Sequence, residues 1–77
     1  MTFKDKHALE TLPGTIAALQ SKADALQEKL GDPQLYVRDR TAFEDASAAL
    51  DELQRSIAAA EEQWLALELL REELAGG

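Results

Sequence analysis

Two runs of apolar residues limit what this chain can fold into. Leu9, Leu12, Ile16, Leu19, Ala23, Leu26 and Leu30 follow one another at alternating steps of three and four, and Phe43, Ala46, Leu50, Leu53, Ile57, Ala60, Trp64 and Leu67 repeat the pattern. That spacing gathers each run onto one stripe of an α-helix, the a/d seam of a coiled coil. The polar break between them, residues 31–39, is short, so two helices joined by it run antiparallel. The expected fold is all-α: an antiparallel two-helix coiled-coil hairpin with a short N-terminal helical segment. Its parts are residues 1–12 as that segment, 13–30 as helix one, 31–39 as the connector and 40–75 as helix two, in a single domain.

A single register satisfies the whole seam. Folding the chain at its midpoint sets Leu30 against Phe43, Leu26 against Ala46, Ala23 against Leu50 and Leu19 against Leu53. Ile16 then meets Ile57, Leu12 meets Ala60 and Leu9 meets Trp64. In three of these layers (23 with 50, 26 with 46, 12 with 60) a small residue meets a large one, which fills space at a nearly constant helix separation. The short connector raises the effective concentration of one helix near the other and favours pairing within the chain. A seam is still not a full core, and a chain of 77 residues is expected to lean on a neighbour, either a second copy or a larger protein.

Local signals place the breaks. Pro13 and Gly14 interrupt the first run without changing its phase, which allows a kinked continuation or a short helix abutting a longer one. Gly31 is expected to end helix one in a left-handed conformation, and Asp32–Pro33 to prevent its resumption. Asp39 and Thr41 compete as the cap of helix two, the latter with Glu44 three residues on. Leu35 and Tyr36 are expected to fold over the end of the seam, near Leu30 and Phe43. Helix two should stop at Gly76–Gly77. Leu65, Leu69 and Leu70 fall beside the seam and, with Phe3, suggest an apolar flank at the open end of the hairpin.

Composition removes several classes of function. No cysteine is present, so there is no disulfide framework and no thiolate metal site, as suits a reducing compartment. No apolar run is long enough to span a bilayer, and the opening MTFKDKHALE lacks the apolar stretch of a signal peptide. Neither phosphate-binding glycine motif occurs. His7, the single histidine, has no serine or cysteine at a recognisable spacing, and adjacent glutamates such as Glu61–Glu62 splay apart on a helix. No catalytic residue and no metal ligand is expected.

Charge is uneven. Residues 1–40 carry six basic and six acidic side chains; residues 41–77 carry two and nine, the whole of the net charge of −7. That excess reads as a solvated acidic helix face, or as repulsion from phosphate or attraction to a basic partner; in each case the second helix is a poor surface for nucleic acid. Lys22, Lys29, Arg38 and Arg40 lie towards the hairpin tip with Tyr36 among them, and could contact a nucleic-acid backbone. Asp24, Glu28, Asp32 and Asp39 are interspersed, so a merely solvated tip is the alternative. Trp64 likewise reads as a plug of the seam or as a stacking platform, the latter disfavoured by Glu61, Glu62 and Glu68 around it.

Four landmarks occur in order: Phe3-Lys4-Asp5, then Glu10-Thr11-Leu12-Pro13, then Asp32-Pro33-Gln34-Leu35-Tyr36, then Trp64 near the end of a leucine-rich helix. In order and spacing the chain resembles the C-terminal coiled-coil domain of ABC-F ATPases, particularly the Uup type, over nearly its whole length. The resemblance implies a cytoplasmic parent with two ATP-binding cassettes, which hold ATP and Mg, and no transmembrane domain. It implies that this chain is a non-catalytic arm engaging DNA or the ribosome and its RNA, or regulating the attached ATPase domains, without membrane contact. Any contact with nucleic acid would fall to Lys22, Lys29, Arg38, Arg40 and Tyr36, with Lys4 and Lys6 secondary. The alternative is a structural coiled-coil module for protein–protein interaction, including a homodimer.

Overall fold

A computed structural model describes residues 1–76 of the chain. It is a rod of 59 × 17 × 14 Å built from three helices: α1, Phe3–Leu30; α2, Pro33–Arg38; and α3, Arg40–Gly76. The long helices α1 and α3 pack along one another, and α2 closes the end between them. The N-terminal part of α1 and the C-terminal part of α3 lie together at the open end: Met1, Lys6 and Leu9 share a surface hollow with Arg71 and Leu74. The hairpin is therefore antiparallel.

Every residue of the two apolar series is withdrawn from solvent, and most of the remaining surface is exposed. Only Leu12, Ala23 and Ala46 are buried outright among the described residues. They belong one to each of the three layers in which a small residue is expected to meet a large one. A small side chain lets the helices enclose its layer more fully, whereas a Leu–Leu layer of a two-helix structure leaves its edges wet. Each half-buried leucine thus contributes less than the ~1.5–3 kcal/mol of a fully buried one.

Three local features depart from the sequence reading. First, the N-terminal segment is helical but not separate. Thr2 caps α1 by accepting a hydrogen bond from the Asp5 N–H (3.2 Å), and the helix runs on through Pro13. Proline removes the N–H that the Leu9 carbonyl would accept. One turn earlier, the Thr11 hydroxyl donates to the His7 carbonyl at 3.0 Å and the Ala8 carbonyl at 3.4 Å. Of the two alternatives for Pro13, the continuous helix holds, because the seam keeps its phase on both sides and packing outweighs the local penalty.

Second, Gly31 is right-handed, with φ −74° and ψ −8°. Its N–H is shared between the carbonyls of Gln27 (2.9 Å) and Glu28 (3.2 Å). A left-handed stop is not needed, because the chain enters a new helix two residues later. Third, the connector contains that helix, α2, where the sequence reading has only a loop. Asp32 caps it, accepting from the Gln34 N–H at 2.9 Å, and Pro33 occupies its first turn, where a missing N–H costs nothing.

At the other boundary Asp39, not Thr41, caps α3: its carboxylate accepts from the Ala42 N–H at 3.0 Å. Glu44 does not complete a capping box with Thr41; it pairs with Arg40 at 3.3 Å. α3 includes Gly76, one residue past the expected end of helix two, and the other glycine of the expected stop, Gly77, lies outside the described residues. Phe3 does not join the apolar flank. It is 86% exposed, with its ring 6.3 Å from that of His7 on the same helix.

Candidate functional site

The tip brings Tyr36 and Phe43 together with Arg38 and Arg40, and two aspartates build it. Asp32 and Asp39 start α2 and α3 only seven positions apart, so the chain reverses through two consecutive capped helix starts. The backbone between them is bonded throughout: Leu35 N–H to the Asp32 carbonyl (3.1 Å), Asp39 N–H to the Leu35 carbonyl (2.8 Å) and Phe43 N–H to the Asp39 carbonyl (3.1 Å). The turn is a fixed platform.

Tyr36 stands at its centre. Its ring meets that of Phe43 edge-on, with centroids 5.2 Å apart and planes at 86°. The Arg40 guanidinium lies over the Tyr36 ring, 5.4 Å from its centre. Leu35 is half-buried beside them, whereas Tyr36 and Val37 remain exposed. The sequence reading placed Leu35 and Tyr36 over the end of the seam, and the Tyr36–Phe43 contact is that cover.

The two arginines of the tip are paired but wet. Arg38 reaches the Asp32 carboxylate at 3.6 Å, and Arg40 reaches Glu44 at 3.3 Å, with both arginine side chains largely solvent-exposed. Exposed pairs of this kind contribute ~0–1 kcal/mol and exchange readily for another anion. Neither lysine enters an ion pair among the described residues. Lys29 projects from the last turn of α1, close to the platform. Lys22 lies seven positions further back, about 10 Å along the helix by its ~1.5 Å rise per residue. Lys4 and Lys6 belong to the opposite end of the rod. Tyr36 and Arg40 are therefore in contact, Arg38 sits on Asp32 in the same turn, Lys29 lies at the end of α1 that enters it, Lys22 stands further back, and Lys4 and Lys6 are remote.

Sequence reasoning missed the role of Asp32, which both caps α2 and holds Arg38. The Asp-Pro pair was the available signal, since proline favours the first position of a helix after an Asp cap. Trp64 lines a shallow groove with Pro13, Ile16, Glu61 and Leu65 at the other end of the molecule and is only half-buried. Among the described residues no group of His, Asp or Glu side chains is placed to hold a metal ion, and no helix is long and apolar enough to cross a membrane. The arrangement offers a rigid projecting surface.

Comparison with curated proteins and with solved structures returned no match. Comparison with protein families matched residues 1–69 to the family described as the ABC transporter C-terminal domain. The match takes in α1, the capped tip and α3 as far as Leu69, and so covers both arms of the hairpin and the turn between them. The chain therefore belongs to the ABC transporter C-terminal domain family.

Proposed function

We propose that this hairpin is the projecting arm of an ABC-F type ATPase of the Uup kind, and that it uses its tip to engage nucleic acid, either DNA or ribosomal RNA. The observation that carries the reading is the Tyr36–Arg40 contact on a capped turn, with Arg38 exposed in the same turn. It lies away from the acidic surface of α3 around Glu61, Glu62, Glu72 and Glu73. Family membership supports the accessory role, with ATP and Mg bound by the parent in the cytoplasm and not by this chain. The arginines could leave Asp32 and Glu44 for phosphate at little cost, and the exposed part of Tyr36 could stack on an unpaired base.

The test is a fluorescence-anisotropy titration with a labelled DNA duplex and a labelled RNA hairpin at two salt concentrations. Binding should weaken as salt rises and should drop at least tenfold in the Arg38→Glu/Arg40→Glu variant. Unchanged binding in that variant, or none at low salt, rejects the tip as a nucleic-acid contact. The second reading, a module for protein contact, is favoured by one observation: Leu65 and Leu69 are 54% and 56% exposed near the open end.

A further inference from the structure

The open half of the hairpin carries an apolar face that the seam does not use. Pro13 and Ile16 of α1 face Trp64 and Leu65 of α3 across a shallow groove. Leu69 follows Leu65 by one turn on the same side of α3 and is more than half exposed. Leu65 and Leu69 are left in water although every seam leucine is at least half covered. Contiguous exposed apolar surface rimmed by polar groups is the signature of a contact site.

Its α3 rim is predominantly acidic, with Lys6 and Arg71 the bases at the end beyond it. Glu61 lines the groove itself, and Glu62, Glu72 and Glu73 are exposed on the neighbouring turns of α3. Arg71, the nearest α3 base, is engaged by Glu68. The occupant must therefore bring apolar groups at helical spacing and positive charge beside them. A nucleic acid offers the wrong charge. A second copy applied by the same face would set glutamates against glutamates, which is unfavourable in an isologous contact.

We propose that this groove docks a basic amphipathic α-helix of a partner protein, with apolar anchors seated along Pro13, Ile16, Trp64, Leu65 and Leu69 and Lys/Arg side chains paired with the glutamate rim. The site is independent of the tip and does not rest on nucleic-acid binding there.

Trp64, the single tryptophan, lines the groove and reports on it directly. The probe is a synthetic Leu/Lys peptide with a helical 3–4 repeat. Titrating it should shift Trp64 emission to shorter wavelength and saturate at one peptide per chain. The double variant Leu65→Glu/Leu69→Glu should bind at least tenfold more weakly, although it adds two negative charges. Val37→Glu, on the exposed tip, should leave affinity unchanged or slightly raised. That sign separates docking from simple charge attraction, which would make the double variant bind more tightly.

Equal or tighter binding by the double variant overturns the proposal, as does equal binding of a lysine-only peptide or the absence of any emission change. Sedimentation equilibrium supplies the remaining arm: a dimer of the free chain that the double variant makes monomeric assigns the face to a second copy instead. Circular dichroism checks that each variant is helical. Should the double variant unfold, Leu69→Gln alone is used, with the same outcomes and a smaller expected loss.

Discussion

The two ends of the rod are terminated in opposite ways. At the tip the chain is continuous, both helix starts are capped by aspartate, and an aromatic pair with an arginine over it covers the seam. At the open end α1 starts on a single threonine cap, proline interrupts its backbone bonding, and α3 ends in leucines that stay in water. The tip is held by two aspartate caps and an aromatic contact, and the open end mainly by burial and a single cap. A short hairpin can thus be tight where it turns and permissive where it parts, and its two ends suit different contacts.

The comparison can be broken at the seam first. Leu12 is the most buried leucine and lies in the open half. Leu12→Ala should cost ~2–3 kcal/mol, the low end for such truncations because the site can collapse on a neighbouring small residue. A domain of this size commands only about 3–5 kcal/mol, so urea titration followed by circular dichroism should show a variant with about half or less of its stability and a midpoint at much lower urea. A loss below ~1 kcal/mol would mean that the open half is not zipped.

The caps sharpen it next. Asp39→Ala should destabilise by ~1 kcal/mol, because α3 would begin with an unsatisfied donor beside the turn. Thr2→Ala should lower the melting temperature much less, since that end frays in either case. Equal losses would remove the asymmetry. Gly14→Ala should raise stability by ~0.5–1 kcal/mol, because a Cβ there meets nothing within 4 Å and Ala is the better helix former. The smallest effect is at Arg40. Arg40→Ala should change stability by under ~1 kcal/mol, since its Glu44 pair is exposed and its contact with Tyr36 is only partly desolvated. A larger loss would identify the arginine as a structural clamp of the tip.

The seam was fully legible because helical periodicity persists over many residues and a phase error would expose the wrong face. The three residues buried outright, Leu12, Ala23 and Ala46, each belong to one of the expected small–large layers. What was not legible is short. PQLYVR is six residues, less than two turns, so no period can establish itself, and its helix depends on the Asp32 cap. The right-handed Gly31 follows from that helix, since its conformation answers to what comes after it. Which tip bases would cluster was half visible: Arg38, Arg40 and Tyr36 are near neighbours in sequence, but the partners of the two arginines depend on how the turn is wound. Lys4 and Lys6, secondary in the expectation, are separated from the tip by the length of α1.

That length has a mechanical consequence. Because 59 Å separate one extremity from the other, the hairpin acts as a lever. A tilt of only a few degrees at the open end would carry Tyr36 and its arginines through several ångströms, so small motions at one end become steps of atomic scale at the other.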